Sequence, residues 1–272
     1  MPHTQKPKHL LDSGVLHIPR SFAVAYEEMI DFHGLRDQAE DTTHNNKVFG
    51  GETDELTLEY FAKRHILSAA RCQCLCLDPN GDLREISQDF LVSLSYGAIT
   101  LLDLPSASGA GVLCIISIIA ELRRLEIAPL LPLNIRVVAC DISGKALELY
   151  EENMSKLTTY WAESGISVEV VYNSWDASSI SSTEEIMNVV LADTATDEYV
   201  VLFHAFSGFS KAILPGLSNS FEIILARLRH KRYSVIWIEP ESSQALSLLK
   251  QIKMWILKMP WMKSNPDSPV GS

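Results

Sequence analysis

Two carboxylates and one imidazole stand at the ends of apolar runs in the second half of this sequence. Asp103, Asp141 and His204 each follow or close such a run, and Asp176 comes four residues after another. If these runs are parallel strands, the four side chains meet at the carboxyl edge of one sheet. A carboxylate there can accept hydrogen bonds from ribose hydroxyls or from an exocyclic amine, and an imidazole can take up a proton. The spacing therefore predicts a site for a nucleoside-containing ligand.

A loop of small residues lies between Asp103 and the apolar run that follows it. Residues Pro105–Gly111 read PSASGAG, and Val112–Ala120 is uninterrupted by charge. A strand, a small-residue turn and a buried helix, in that order, are typical of a nucleotide-binding βα unit. Backbone N–H groups at the start of such a helix can approach a ligand closely, because little side chain intervenes. We expect this loop to form the floor of the site.

The hydrophobic periodicity predicts strands and helices that alternate from residue 98 onward. The predicted strands are Ile99–Leu102, Ile135–Cys140, Val168–Tyr172, Tyr199–His204 and Ser234–Ile238. The predicted helices are Gly111–Leu125, Ser143–Ser164, Thr183–Leu191, Ser220–Arg229 and Ser243–Leu257. This order predicts a Rossmann-like α/β fold, in which a doubly wound, mostly parallel sheet of about five strands is flanked by helices.

The first part of the chain is predicted to be a separate extension. Helical spacing is clear in Phe22–Phe32 and Thr53–Ala70, whereas Arg36–Gly51 is predicted to be a loop or lid. Alternating cysteines followed by Asp-Pro-Asn-Gly predict a β-hairpin over Cys72–Ile86, and Asp89–Leu94 is predicted to be a short helix. The predicted division is an N-terminal helical and hairpin extension at 1–95, the Rossmann-like domain at 96–260 and a flexible tail at 261–272.

Composition restricts the function classes. The 272 residues are 47% hydrophobic with a net charge of −11, which disfavours nucleic-acid binding because phosphate backbones are repelled. The five cysteines suggest reduced thiols, and we expect no metal site, since Cys72, Cys74 and Cys76 lack Cys-x-x-Cys spacing. No secretory signal pattern and no membrane-spanning run of about 20 apolar residues is evident, so we expect a cytoplasmic protein without membrane association.

Four stretches together resemble the class I S-adenosylmethionine-dependent methyltransferases. LLDLPSASGAG is similar to the family's acidic residue and glycine loop, and VVACDIS to its second-strand acidic motif. NSWDASS resembles the adenine-contacting loop, and YVVLFHAF the strand that borders the substrate. The resemblance covers residues 98–239 and implies S-adenosyl-L-methionine as the cofactor and methyl transfer to a small molecule or a protein.

The resemblance also implies a role for each matching position. Asp103 would lie near the amino-acid moiety of the cofactor, above a loop lined by Ala107 and Gly109. Asp141 would hold the ribose. The remaining implied roles are adenine contacts for Ile142 and Asp176, a catalytic base at His204 and a substrate contact at Phe206.

Two alternatives stay open from the sequence. Pro105 and Ala107 stand where the family has glycines, and we expect its terminal strand pair to be missing. Both departures favour a catalytically inactive methyltransferase-like protein that acts as a binding partner or scaffold subunit, with a homo-oligomer or partner protein docked at an exposed sheet edge. A nicotinamide oxidoreductase fits the predicted fold but not the loop that Asp103 introduces.

Overall fold

The computed structural model describes residues 7–41, 51–192, 196, 198–204, 206, 214–239 and 243–258. The strands are β1 (Leu11–Asp12), β2 (Val15–Leu16), β3 (Gly97–Leu104), β4 (Leu133–Asp141), β5 (Ile166–Ser174), β6 (Glu198–His204) and β7 (Arg232–Ile238). The helices are α1 (Arg20–Phe32), α2 (Arg36–Glu40), α3 (Asp54–Leu77), α4 (Arg84–Ser93), α5 (Ala110–Arg124), α6 (Gly144–Glu163), α7 (Ile180–Ala192), α8 (Leu214–Leu228) and α9 (Ser243–Lys258).

The main sheet has five parallel strands in the order β5-β4-β3-β6-β7. Strands β3, β4 and β5 extend the sheet in one direction and β6 and β7 in the other, so the order reverses between β3 and β6. This reversal is the topological switch point at which ligands bind in open α/β sheets. The Rossmann-like fold predicted from the sequence is confirmed.

Two hydrophobic cores lie on opposite faces of this sheet. One face packs against α5 and α6, and the N-terminal helices α1 and α3 lie over the same side. The other face packs against α7, α8 and α9. The central strands β3, β4 and β6 are covered on both faces, so their residues are mostly apolar and the sequence reveals them readily. The edge strands β5 and β7 include exposed polar residues.

Side-chain caps and a left-handed glycine mark helix ends where the sequence indicates them. The Thr53 hydroxyl accepts from Leu56 N at 3.2 Å at the start of α3, and the Ser143 hydroxyl accepts from Ala146 N at 3.2 Å at the start of α6. Gly165 follows α6 with a φ of +69°, a conformation that glycine adopts without strain. These local signals placed the helix boundaries within a few residues.

The hairpin predicted over Cys72–Ile86 is wrong. Helix α3 continues through the cysteines to Leu77, and α4 follows after the turn. Cys72, Leu75 and Cys76 are buried, a spacing of three and four residues that belongs to a helix. Two-residue alternation of the thiols alone could not distinguish this pattern from a strand. An N-terminal hairpin does exist, but β1 and β2 form it.

Other N-terminal predictions have mixed outcomes. The helix predicted at Phe22–Phe32 is α1, and the short helix predicted at Asp89–Leu94 is the second half of α4. The segment Arg36–Gly51 begins with α2, and residues 42–50 fall outside the described residues, as does the tail at 261–272. None of the helices in the described ranges combines the length and apolarity that crossing a bilayer requires.

A buried arginine fixes the amino end of the sheet. Arg123, in α5, is fully buried, and its guanidinium donates to the carbonyls of Ser164 at 3.0 Å, Gly165 at 3.1 Å and Ser95 at 2.7 Å. These carbonyls follow α6 and precede β3. One side chain therefore ties a helix end to the entrance of the central strand.

Candidate functional site

Strand alternation brings Asp103, Asp141 and His204 to the same face of the sheet. Each lies two residues beyond a core residue of the α5 side, namely Leu101, Ala139 and Leu202. Because side chains alternate with a period of two, all three point between the sheet and the helices rather than along the strand axes. All three are buried.

Asp103 and His204 form a hydrogen-bonded pair across the switch point. His204 Nε2 lies 2.6 Å from Asp103 Oδ1, and the side chains are 9% and 0% exposed. With the carboxylate ionised, Nε2–H donates to it, so Nδ1 is the ring nitrogen that can accept a proton. Burial raises the pKa of Asp103, while the imidazole lowers it. A buried carboxylate held by an imidazole is the arrangement that acid–base catalysis uses.

The second carboxylate oxygen of Asp103 is sealed from solvent without a hydrogen-bond partner among the described residues. The Tyr150 hydroxyl is also buried, and it approaches the Asp103 carboxyl closely enough to lower the pKa of that carboxyl. Burial and the charge of Asp103 raise the pKa of Tyr150 well above its usual value. Buried polar atoms are usually satisfied within the fold, and this contact joins α6 to the end of β3 beneath the loop.

Asp141 holds the small-residue loop in place. Its Oδ2 accepts from Ala107 N at 2.8 Å, and its Oδ1 accepts from Ser143 N at 2.9 Å. Ala107 has a φ of +44°, an uncommon conformation for a residue with a Cβ. The carboxylate thus stabilises the conformation that a glycine would adopt freely. Burial raises the pKa of Asp141, and the two backbone N–H groups lower it.

Side chains of neighbouring helices leave no room for a Cβ at two glycines of the loop. Gly109 has a φ of +79°, and a Cβ there would lie 2.7 Å from the Tyr150 ring. A Cβ on Gly111 would lie 2.8 Å from Cys72 Sγ. The close approach that these glycines allow is therefore made by α6 and α3.

Helix α3 covers the loop through a buried polar network. His65 Nδ1 lies 2.7 Å from the Ser108 hydroxyl, and Asn153 Nδ2 donates to His65 Nε2 at 3.0 Å. The imidazole stacks on the rings of Phe22 and Tyr26, with centroids 5.2 Å and 5.7 Å away. Burial lowers the pKa of His65 to about 3. This neutral histidine joins α1, α3 and α6 to the loop.

The other predicted site residues lie in different surroundings. Ile142, directly after Asp141, is 64% exposed. Asp176 is also exposed, and its Oδ1 accepts from both the backbone N–H and the hydroxyl of Ser178. Phe206 is buried among aromatic rings of the α8 side, with Trp237 5.2 Å away. The structure therefore brings Asp103, Ala107, Gly109, Asp141 and His204 together, with Ile142 at the rim. The roles of all these residues stay predictions.

Sequence reasoning missed His65 and Tyr150. Neither belongs to a motif, and each acquires its importance from partners far along the chain. His65 lies 43 residues before Ser108 and 88 before Asn153. The available signal was the four-residue spacing of Thr57, Phe61 and His65, which places an imidazole on the buried face of a helix.

Comparison with known proteins gives no assignment. No protein-family model matches the sequence, and no curated protein matches it either. Within the described residues, no three side chains of His, Cys, Asp or Glu are grouped so that they could hold a metal ion. The function must be inferred from the site.

Proposed function

We propose that this protein is an S-adenosylmethionine-dependent methyltransferase that acts on a small molecule or a protein, with the Asp103–His204 pair as its acid–base centre. The pair carries the proposal. Removing a carboxylate from water costs several kcal/mol, so buried carboxylates occur most often where their charge serves binding or catalysis. This one lies at the switch point, where an open parallel sheet binds its ligand.

The residues at the carboxyl edge fit the nucleoside part of the cofactor. Each oxygen of Asp141 accepts one backbone N–H and keeps a lone pair for a ribose hydroxyl. The exposed side chain of Ile142 offers an apolar surface for the adenine ring. The buried carboxylate of Asp103 adds a negative charge at this edge, which favours the positively charged amino group of the cofactor.

The bound cofactor supplies an electrophilic methyl group on a sulfonium sulfur. His204 Nδ1 then accepts the proton of the attacking substrate atom, and Asp103 stabilises the imidazolium that results. Displacement otherwise needs only orientation and exclusion of water, which the loop and α3 provide.

Calorimetric titration with S-adenosylmethionine tests the proposal. We expect saturable binding that Ile142→Glu weakens by about tenfold, since the substitution replaces an apolar contact of roughly 1.5 kcal/mol with a charge. Leu130→Glu is the matched control, because Leu130 is 62% exposed and precedes β4 at the other end of the sheet. His204→Asn retains a donor for Asp103, so it should bind the cofactor but lose transfer of a labelled methyl group to a cell extract.

A wild-type protein that gives no heat with millimolar S-adenosylmethionine contradicts the proposal. Equal effects of Ile142→Glu and Leu130→Glu would show that the cofactor binds elsewhere.

A second candidate function is the catalytically inactive binding partner or scaffold subunit. It is favoured by the approach of Tyr150 and Cys72 to Gly109 and Gly111, which leaves the glycines serving internal packing. Strands β5 and β7 form the edges of the described sheet and are where such a partner would pair. The same titration separates the two functions, because the scaffold requires no cofactor.

A further inference from the structure

A groove of about 600 Å³ lies between α1, α5 and α6, on the helical layer that covers one face of the sheet. This volume is typical of pockets that hold small ligands. The start of α1, the end of α5 and the second half of α6 form the groove. Since α5 and α6 begin at the carboxyl end of the sheet, the groove lies toward the amino end, away from Asp103 and His204.

Helix α1 begins in this groove without a side-chain cap. Pro19 occupies the N-cap position, and among the described residues no side chain forms a capping hydrogen bond. The first turn contains no acidic residue, and Arg20 instead places a cation where the helix dipole disfavours positive charge. The first N–H groups of a helix need acceptors from elsewhere. An anion in the groove would accept from these groups and pair with Arg20 at the same time.

The Ser21 hydroxyl also favours an acceptor at this position. Its oxygen is buried and has no hydrogen-bond partner within the described part of the chain. Buried hydroxyls are usually satisfied. Ser21 lines the groove, and a change of its χ1 rotamer moves the hydroxyl to another staggered position. An anionic oxygen bound at the start of α1 would accept a hydrogen bond from it.

Two arginines of the groove, Arg20 and Arg124, form ion pairs with no carboxylate of the described residues. The Arg124 guanidinium lies over the Tyr160 ring, with Cζ 4.8 Å from the ring centroid. A stacked guanidinium leaves the N–H groups at its edge able to reach an anion. The lysine of the groove differs, because Lys156 Nζ pairs with Glu28 at 2.9 Å.

The carboxylates of the groove are already paired within the protein. Glu28 binds Lys156, as described above, and Glu121 accepts from the Tyr160 hydroxyl. The second oxygen of Glu121 lies 2.8 Å from His9 Nε2. The charge that remains is that of the two arginines. The protein as a whole has a net charge of −11 and repels anions, so a local cluster of this kind is needed to attract one.

Exposed apolar side chains stand beside these arginines. Val24 and Leu125 line the groove and are each 43% exposed. An anion without an apolar part would leave both side chains in contact with water. A ligand that also carries an apolar or aromatic body would cover them, which is favourable because apolar surface is removed from water.

We propose that this groove binds an anionic small molecule. Its phosphate or carboxylate contacts Arg20, Arg124 and the start of α1, and its apolar body covers Val24 and Leu125. The groove is separate from the candidate site at the carboxyl end of the sheet, so the proposal does not depend on the methyltransferase activity.

Three probes that share one aromatic ring test the chemistry of the ligand: phenyl phosphate, benzoate and benzyl alcohol. In calorimetry at constant pH and ionic strength, we expect saturable binding of at least one anion at about 1 mM or below. The anion that binds more tightly identifies the group as phosphate or carboxylate. Benzyl alcohol lacks the charge and should bind about tenfold more weakly. Equal binding of the alcohol, or no saturable binding of either anion, overturns the proposal.

Arg20→Met locates the bound anion. The variant should weaken binding by about tenfold, the effect of losing a charge-assisted hydrogen bond. Arg84→Met is the matched control, because Arg84 also begins a helix, α4, without a side-chain cap among the described residues, but does not line the groove. Both variants change the net charge equally. An equal loss of affinity in the two, or full affinity in Arg20→Met, contradicts binding in the groove.

Glu28→Gln should change the affinity in the opposite direction. The substitution releases Lys156 from its ion pair and removes a negative charge, so the anion should bind about threefold more tightly. Damage to the fold would not produce a gain, so this variant decides the outcome even if Arg20→Met does not fold. Unchanged or lower affinity in Glu28→Gln overturns the assignment of the anion to this groove.

Discussion

A buried charged side chain lies at each end of the parallel sheet, an arginine at the amino end and an aspartate at the carboxyl end. At the amino end, Arg123 is surrounded by three backbone carbonyls, from Ser95, Ser164 and Gly165. At the carboxyl end, the buried carboxylate of Asp103 meets the imidazole of His204. Arginine keeps its proton throughout the accessible pH range, whereas aspartate and histidine exchange theirs.

This difference in proton exchange indicates a structural role for the amino end of the sheet and a functional role for the carboxyl end. The donors of Arg123 bond main-chain oxygens of fixed position, so its contribution is structural and independent of pH. The carboxyl end instead collects Asp103, Asp141, His204 and His65, all buried and titratable. Titratable groups whose pKa is displaced by burial are often found at functional sites, and here burial displaces the pKa of Asp103, Asp141 and His65.

The largest expected effect is at the amino end. Arg123→Met should lower the free energy of unfolding by about 3 kcal/mol, because three buried carbonyls lose a charged donor. Urea denaturation measures the loss, which should be the same at pH 6 and pH 8. Arg124→Met is the control, since this neighbour is exposed and stacks on Tyr160. Equal losses in the two variants would refute a special role for the buried guanidinium.

The next effect is acid sensitivity at the carboxyl end. His65 has a folded pKa of about 3 and an unfolded pKa near 6.5, so the unfolded state binds more protons between these values. Stability is therefore complete above pH 6.5 and falls with decreasing pH by up to ~1.4 kcal/mol per unit, or about 2 kcal/mol at pH 5.

Urea denaturation across this pH range tests the dependence. His65→Gln should lose this part of the slope, while His17→Gln, a substitution at an exposed histidine, should keep it. An unchanged slope in His65→Gln would show that other groups cause the acid sensitivity.

The smallest expected effect concerns Tyr150. Its buried hydroxyl lowers the pKa of Asp103, but the two groups do not reach full hydrogen-bond geometry, so Tyr150→Phe should change the free energy of unfolding by about 0.5 kcal/mol or less. A loss above about 1 kcal/mol would show instead that the phenol donates a full hydrogen bond to Asp103. Equilibrium unfolding of the two proteins at pH 7 decides between these outcomes.

The sequence predicted the sheet better than it predicted the site. Strands buried on both faces appear as apolar runs, and their carboxyl ends locate Asp103, Asp141 and His204 without further information. What the sequence could not provide is the direction of each side chain and its partner. Asp141 bonds Ala107 and Ser143 of its own chain, and only the folded backbone reveals that these contacts use one lone pair of each oxygen.

The N-terminal part was predicted less well, for a physical reason. Cys72 and Cys76 satisfy a two-residue period as well as a four-residue one, and the contact of α3 with α5 decides between them. The sequence around His65 gives no sign of its contacts with Ser108 and Asn153, which only the fold brings together. When the partners of a residue are distant in the sequence, no local sequence pattern predicts its role.

The long separation between His65 and its partners has a consequence for synthesis. The ribosome releases α3 well before Ser108 and Asn153, which follow His65 by 43 and 88 residues. Because translation proceeds at roughly 5–20 residues per second, several seconds pass between the synthesis of α3 and that of the residues that bury its apolar face. During that interval the nascent chain exposes Ala69 and Cys72, which later join the core that α5 completes.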